Sequence, residues 1–214
     1  MNILALTSRF PIFFTFVFLS IIFMLNIRRS NRRIKKNRED FWAREIKANS
    51  VRRKPLDNVD FISVPYDELP MNIETDDDIV KECIDQINSL KDEPIANFTG
   101  ITNTDLKLEY GAPNITTLSK ADTNFTLLVR SLGNLGERLH QLGHDTEALT
   151  VLEYAIRIRT DISKTYYLAA ELYDAKGDDK KIAWLKRSAE ALNSIMVTPI
   201  LKRLNEQYPD IPAY

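Results

Sequence analysis

The feature of this sequence that most limits its fold is a recurrence at a spacing of 34 residues in its second half. A glycine followed by polar and then apolar residues occurs in QLGHDTEAL, residues 141–149, and again in DAKGDDKKI, residues 174–182. Small residues recur around it, at Gly136 and Ala170 and at Ala155 and Ala189. Such a period indicates a helical repeat, because each unit then has two helices, a tight turn and small side chains where the helices cross. We therefore expect an all-α fold.

These positions resemble the tetratricopeptide repeat family. That family has a small residue, an aromatic three residues later, a glycine turn, alanines on the second helix and a closing proline. The first copy, residues 129–162, has Gly136, Leu139 at the aromatic position, Gly143, Ala148, Leu152, Ala155 and, at the proline position, Thr160. The second copy, residues 163–196, has Ala170, Tyr173, Gly177, Ile182, Lys186 at an aromatic position, Ala189 and, at the proline position, Ser194. The resemblance covers about a third of the chain and implies a short α-solenoid.

Two stacked repeats leave apolar helix faces at both ends of the stack, and flanking helices are expected to cover them. TPILKRLNEQY, residues 198–208, resembles the helix that closes the last repeat, with Pro199 in its first turn. A second amphipathic helix is predicted near residues 76–91. Thr75 and Asp78 stand at capping-box spacing at its start, which explains the acidic residues there better than a metal ion does.

An apolar segment without charge, FPIFFTFVFLSIIFMLNI, occupies residues 10–27. As a helix it would rise ~27 Å, close to the ~30 Å hydrocarbon thickness of a bilayer. The segment therefore predicts a transmembrane anchor within residues 1–27. A cleaved signal peptide would have a shorter apolar run and small residues at its end, whereas basic residues follow here.

The basic stretch RRSNRRIKKNR, residues 28–38, predicts the orientation of the anchor. Basic residues beside a span stay on the cytoplasmic side, so the folded domain is expected to be cytoplasmic. The stretch either fixes topology alone or also binds anionic lipid headgroups, and the two roles are compatible. The candidate lipid contacts are Arg28, Arg29, Arg32, Arg33, Lys35 and Lys36. Sequons at Asn97, Asn114 and Asn124 favour the opposite orientation.

The chain is thus predicted to have four segments: the anchor at 1–27, a basic juxtamembrane segment at 28–54, a strap at 55–121 and a repeat domain at 122–214. In the basic segment, Phe41, Trp42 and Ile46 suggest a short amphipathic helix that packs on the membrane interface or on the domain and ends at Pro55. The strap is expected to be extended apart from the helix near 76–91, because prolines interrupt it, and residues 97–120 are expected to be irregular.

No motif in the sequence predicts catalysis. His140 and His144 are four residues apart, as a zinc pair requires, but His144 falls in a predicted turn, and the single cysteine, Cys83, cannot build a metal cluster. Phosphate-binding loops, nucleophile elbows and dinucleotide motifs are missing. We therefore expect neither enzyme activity nor a cofactor. The chain after the basic segment is acidic, and this excludes nucleic acid as an expected partner.

The resemblance implies a partner-binding groove lined by the first helix of each repeat. A groove of mixed charge with one aromatic suits an internal peptide or a helix, and Tyr167 is its predicted anchor because aromatic residues dominate interface energies. The Lys and Asn pattern that chaperone-binding members of the family use for a terminal carboxylate is not reproduced. The predicted groove residues are Arg130, Asn134, Glu137, Gln141, Lys164, Tyr167, Glu171 and Asp174.

The sequence as a whole favours a single-pass membrane scaffold that recruits another protein to the cytoplasmic face. The alternative is a permanent structural subunit of a larger membrane assembly.

Overall fold

The computed structural model describes residues 11–213, with side chains from residue 14 onward. Within this range the protein is all-α, as the sequence predicts, and its only strand-like pairing is an isolated bridge between Phe61 and Ala96. The α-helices of this range are α1 (Pro11–Asn49), α2 (Asp78–Asn88), α3 (Asn103–Tyr110), α4 (Ile115–Gln141), α5 (Asp145–Arg157), α6 (Ser163–Ala175), α7 (Asp179–Glu190) and α8 (Val197–Gln207), and a 3-10 turn (Ala112–Asn114) precedes α4.

The first helix, α1, is continuous over 39 residues and joins the apolar and basic segments that the sequence separates at residue 28. Residues 12–54 contain neither glycine nor proline, so nothing in the backbone interrupts the helix. The predicted short helix ending at Pro55 is therefore wrong, since α1 ends at Asn49. Part of the predicted anchor, residues 1–10, lies outside the described residues. Among the helices of residues 11–213, none has a stretch long and apolar enough to cross a membrane.

The last turns of α1 dock on α3 through polar contacts. Arg44 pairs with Asp105, and Glu45 accepts hydrogen bonds from Lys107 and from Thr104, the latter at 2.6 Å. This docking leaves Phe41, Trp42 and Ile46 exposed at 55, 57 and 69%. The expectation that these side chains pack on the domain is therefore wrong.

Helix α3 falls in the segment that was expected to be irregular. The Thr102 hydroxyl accepts a hydrogen bond from the Asp105 N–H at 3.2 Å, and the Asp105 carboxylate accepts one from the Thr102 N–H at 3.4 Å, which together form a capping box. Leu106 packs into a small core with Val59 and Leu118. Helix α4 then begins at Ile115, so the helical domain starts before the predicted boundary at residue 122.

The strap lies on the folded body, and its apolar side chains are what hold it there. Val64 and Leu69 are buried in the main core, and Val59 is buried in the smaller one. The Ile62 N–H donates to the carbonyl of Ile95 at 2.8 Å, which fixes the strap against the segment that follows α2.

Helix α2 packs on α4 and covers that end of the repeat stack, burying Val80, Cys83 and Ile87. Its N-cap is Asp77, whose carboxylate accepts the N–H groups of Ile79 and Val80 at 3.1 Å each. The predicted capping pair of Thr75 and Asp78 is therefore wrong in register. Asp77 also forms an ion pair with Arg138 of α4, at 2.9 Å from Nε and 2.5 Å from Nη2. This ion pair explains why Asp77, rather than a neighbouring acidic residue, caps the helix.

The two turns of the repeat have the same hydrogen bonds 34 residues apart. Gly143 and Gly177 have φ angles of 84° and 67°, in the left-handed region that favours glycine. The N–H of His144 donates to Leu139 O, and that of Asp178 to Tyr173 O, both at 2.9 Å. After each second helix, a hydroxyl stands at the proline position of the repeat and accepts an N–H two residues later at 3.2 Å. These pairs are Thr160 with Ile162 and Ser194 with Met196.

Helices α4 to α8 form an antiparallel stack. Each helix packs on the next, and α6 also contacts α4 while α7 contacts α5, which are the contacts of two helical layers. Helix α8 packs on α6 and α7 and buries Ile200 and Leu204, so it covers the other end of the stack.

Lys186, at a position where the resemblance to tetratricopeptide repeats implies an aromatic residue, is almost fully buried in α7. Its Nζ donates to the carbonyls of Tyr208 at 2.7 Å and Ile211 at 2.5 Å. Burial lowers the pKa of this ammonium group. The lysine therefore holds the C-terminal segment over α7 in place of the packing that an aromatic ring would supply.

Replacing Ala155 or Ala189 by leucine tests the helix crossings, where both alanines are fully buried. We expect each change to overpack its crossing and to lower the free energy of unfolding by about 1 to 3 kcal/mol, measured by thermal or urea unfolding. Ala175→Leu, at an exposed position of α6, is the matched control and should leave stability unchanged. Unchanged unfolding of both buried variants would contradict the repeat packing.

Asp77 predicts a pH dependence of stability. The Arg138 guanidinium and the N–H groups of the α2 start lower the pKa of the Asp77 carboxyl below its ordinary 3.8. A carboxyl with a lowered folded-state pKa stabilises the fold above its unfolded pKa and loses that contribution as pH falls through the folded value.

We therefore expect the melting temperature of the wild type to fall more steeply below about pH 4 than that of Asp77→Asn, which keeps a capping oxygen but no charge. Asp78→Asn, at the exposed neighbouring position, should melt like the wild type across the same range. Parallel wild-type and Asp77→Asn curves would contradict the role of this ion pair.

Candidate partner-binding groove

The structure brings four of the eight predicted groove residues to one cavity between α4 and α6. Arg130, Asn134 and Glu137 lie on successive turns of α4, and Lys164 faces them from the start of α6. The cavity has a volume of about 380 Å³. Gln141 is exposed at the end of α4, beside this cavity rather than in its lining.

Apolar side chains form the inner lining of the groove. Leu152 of α5 reaches it because Gly136 has no side chain: a Cβ there would lie 2.7 Å from Cδ2 of Leu152. Ile162 and Leu168 complete the apolar part. The same glycine that permits the close crossing of α4 and α5 thus lets a leucine form the floor.

Some polar side chains of the groove pair with one another, and others have no partner among the described residues. Lys164 Nζ pairs with Glu137 Oε2 at 2.5 Å across the groove, and Gln141 donates to the same carboxylate at 3.4 Å. Arg130 and Asn134 are exposed, and their side chains make no hydrogen bond or ion pair with residues 11–213. The groove therefore offers the Arg130 guanidinium and the Asn134 amide to a partner, next to the ion pair between Lys164 and Glu137.

Thr165 adds a buried polar atom to this site. The residue is 2% exposed, and among the described residues its hydroxyl has no hydrogen-bond partner. It lines the cavity next to Gly133, where a Cβ would lie 3.4 Å from the hydroxyl oxygen of Thr165. A buried hydroxyl without a partner costs about 1 to 3 kcal/mol, which a ligand atom or a water molecule can recover.

Tyr167, the predicted anchor, packs under α8 and does not line the cavity. Its hydroxyl donates to Pro199 O at 3.2 Å, and the guanidinium of Arg203 lies 4.1 Å from the ring centroid. The side chain is half-buried by these contacts, so it holds α8 to α6. Glu171 and Asp174, farther along α6, are exposed outside the cavity.

Sequence reasoning missed Gly133, Thr165 and Leu168. Positions 133 and 168 lie on the groove side of their helices, but a glycine and a leucine gave no polar signal. The role of Thr165 depends on the spacing between α4 and α6, which the sequence does not state.

The two histidines do not form a metal pair in the structure. His140 Nδ1 lies 2.6 Å from Oδ1 of Asp145, and His144 is the residue that precedes α5 in the turn. Among the described residues, no cluster of three or more histidine, cysteine, aspartate or glutamate side chains is placed to hold a metal ion.

Comparison of the chain with protein-family models, with curated proteins and with solved structures finds no match in any of the three.

Replacing Thr165 by valine tests whether its hydroxyl is unpaired. Valine keeps the shape and removes an unsatisfied polar atom, so we expect the free energy of unfolding to stay constant or to rise by up to about 1 to 3 kcal/mol. Thr160→Val is the matched control: this threonine is fully buried, but its hydroxyl accepts the Ile162 N–H at 3.2 Å. The control should lose about 1 kcal/mol in the same urea titration. An equal loss in both variants would mean that Thr165 is hydrogen-bonded.

Proposed function

We propose that this protein is a membrane-anchored scaffold of tetratricopeptide-repeat type that binds a segment of another protein in the groove between α4 and α6. The observation that carries the proposal is the set of uncommitted polar groups there: the Arg130 guanidinium, the Asn134 amide and the buried Thr165 hydroxyl, above an apolar floor. Cavities that combine an apolar lining with a few convergent polar groups are the usual form of a binding site.

The repeat assignment is supported by identical turns at the family's spacing. Gly143 and Gly177 share their φ region and their hydrogen bonds, and small residues are buried at the corresponding crossings, Ala155 and Ala189. Thr160 and Ser194 stand where the family has proline. A proline would fix φ there, whereas each of these hydroxyls accepts an N–H at the start of the next helix. Proline is therefore not needed for this geometry.

The anchor rests on the apolar segment 10–27 of the sequence, since the helices of the described part of the chain do not by themselves reach the length and apolarity of a membrane span. Phe16, Phe18 and Phe23 are 64 to 70% exposed on α1, and a bilayer would cover them. Helical residues 28–43 then extend ~24 Å, so they would hold the repeat domain away from the bilayer surface as a spacer. The basic side chains stand on this spacer next to the headgroups.

A cytoplasmic domain is supported by the state of the three sequon asparagines. Their Nδ2 atoms, which a glycan would modify, all donate to backbone carbonyls: Asn97 to Ile158 and Arg159, Asn114 to Lys54 and Tyr110, and Asn124 to Pro94. A glycan replaces one of the two hydrogens on Nδ2, so Asn97 and Asn114 would each lose a hydrogen bond, and Asn114 and Asn124 are buried. The sequons therefore do not favour the opposite orientation. The basic residues after the span then decide the expected topology.

The groove suits a partner that brings both an apolar side chain and a hydrogen-bond acceptor. Arg130, Asn134 and Thr165 are donors, and the one carboxylate of the lining, Glu137, is already paired with Lys164. An internal segment of a protein in extended or helical form provides such a combination, with the apolar group on Leu168 and the acceptor near Arg130.

A second candidate function, a permanent subunit of a larger membrane assembly, is favoured by the exposed Phe41, Trp42 and Ile46. These side chains stand on α1 beyond the predicted span, and the described residues of the domain do not cover them. Removal of residues 1–27, which keeps these three side chains, separates the two candidates: a recruiting scaffold should then sediment as a soluble monomer, and a permanent subunit should aggregate through the uncovered apolar surface.

Photo-crosslinking in intact membranes tests the groove. With a photoreactive side chain at position 141, at the exposed end of α4, we expect capture of a defined partner that falls about tenfold in the Arg130→Ala, Asn134→Ala double variant. Arg187→Ala, at an exposed position of α7, is the control and should retain the capture. Full capture by the double variant with an unchanged melting temperature would exclude the groove as the binding site.

A further inference from the structure

A second cavity, of about 580 Å³, lies between the strap and the turns that end α5 and α7. We call it the strap cleft. Residues 60–63 of the strap form one side, and residues 157–159 and 191–193, the corresponding turns of the two repeats, form the other. It shares no lining residue with the groove between α4 and α6, so its ligand is independent of the proposed groove partner.

The walls of the strap cleft are held by close backbone contacts. The Ile62 N–H is bonded to Ile95 O, which ties the strap to the segment before α3. Gly100 packs directly on Asn193, since a Cβ at Gly100 would lie 2.3 Å from Asn193 O. The cleft is therefore a preformed feature that joins the strap to the repeat turns.

The strap presents one free backbone donor beside this cleft. The Ile62 N–H is bonded to Ile95 O, and Ser63 O accepts a hydrogen bond from the hydroxyl of Tyr154 in α5 at 3.3 Å. The Ser63 N–H has no partner among the described residues, and Ser63 lines the cleft. This N–H is therefore available to a carbonyl oxygen of a ligand.

The side chains of the strap cleft favour an acidic and apolar ligand. Phe61 and Ile101 are 41 and 42% exposed at its rim. Its charged lining is Arg157, Arg159 and Asp60. Neither arginine forms an ion pair within residues 11–213, but the Arg157 guanidinium lies 5.9 Å from the centroid of the Tyr154 ring, so Arg159 is the less engaged of the two. Two guanidinium groups against one carboxylate leave a positive balance that complements an acidic side chain.

Arg159 is held in a conformation that only its surroundings maintain. Its φ of 64° is the one left-handed angle of a non-glycine residue in the described range. The Asn97 side chain donates to the carbonyls of Ile158 at 3.2 Å and Arg159 at 3.1 Å and fixes this turn. The left-handed angle belongs to the end of α5, where the N–H groups of Arg159 and Thr160 donate to the carbonyls of Ile156 and Ala155 at 2.9 and 3.0 Å, the hydrogen bonds of a helix that ends in a left-handed residue. The helix end therefore fixes the position of Arg159 beside the cleft.

We propose that the strap cleft binds an extended segment of a partner protein, in which an acidic side chain is adjacent to an apolar one. A backbone carbonyl of the segment accepts a hydrogen bond from the Ser63 N–H, its carboxylate meets Arg157 and Arg159, and its apolar side chain covers Phe61 and Ile101. The free N–H and the apolar rim favour a peptide over a free anion, which would use the arginines alone.

The test uses the full chain in phosphatidylcholine nanodiscs and, as the probe, a phage-displayed library of short random peptides with both ends linked to the coat protein. Peptides selected on the wild type are synthesised, and their affinities are measured by fluorescence anisotropy. Arg159→Gly is the principal variant, because glycine adopts a positive φ freely, so the change removes the arginine side chain without straining the turn. Arg157→Gln is the second variant, and Arg187→Ala, at an exposed position of α7, is the matched control. Arg130→Ala reports whether peptides bind in the groove instead.

The expected result is a selected set rich in aspartate or glutamate next to apolar residues. Binding should weaken about tenfold or more in Arg159→Gly, whose melting temperature should not fall, and in Arg157→Gln, while Arg187→Ala binds like the wild type. Replacing the acidic residue of the peptide by its amide should weaken binding similarly, and the wild-type affinity should fall with added salt.

The proposal is overturned if the library yields no binders, or if the selected peptides bind both arginine variants as tightly as the wild type. Loss of binding in Arg130→Ala alone would place the peptides in the groove, which would support the proposed function and contradict this second site.

Discussion

The packing of α4 on both of its long sides is the constraint on which the rest of the structure depends. Eleven of its 27 residues are buried, and they extend from Leu118 to Leu139 along almost the whole helix. One side receives α2 and, through α2, the strap, and the other receives α5 and α6. Each fully buried leucine of this helix contributes about 1.5 to 3 kcal/mol. Helix α4 therefore joins the N-terminal half of the domain to the repeat stack in one core.

The close crossing of α4 and α5 at Gly136 has a consequence for the groove. A side chain at Gly136 would displace Leu152, and Leu152 is part of the cavity floor. Gly133, one turn earlier, also lines the cavity, and a Cβ there would lie in ordinary contact with the Thr165 hydroxyl at 3.4 Å. Gly136 is therefore the glycine that sets both the helix spacing and the floor of the candidate site, at the cost in helix propensity that glycine carries in a helix interior.

Departures from the repeat pattern are compensated by polar contacts. Lys186 bonds to two carbonyls of the C-terminal segment, and Thr160 and Ser194 each accept an N–H at the start of the next helix. A buried ammonium group costs free energy unless its donors are satisfied, so the C-terminal segment and Lys186 depend on one another. The stack is accordingly closed by a specific contact as well as by the apolar face of α8.

The sequence by itself determined the features that follow from local chemistry: the helical class, the glycine turns at Gly143 and Gly177, and the helices that cover both ends of the stack. These features depend on backbone preferences and on the spacing of apolar residues within one helix, and both follow directly from the amino-acid sequence. It also placed Arg130, Asn134 and Glu137 on one face of α4, because residues three and four apart on a helix share a face.

Only the tertiary structure decided that Asp77 caps α2, that Tyr167 lies under α8 and that the Thr165 hydroxyl is left without a partner. Each of these depends on residues far apart in sequence: Asp77 contacts Arg138, Tyr167 contacts Pro199 and Arg203, and Thr165 lies next to Gly133. Such contacts are fixed by how the helices pack, and the pattern within any single helix does not contain them.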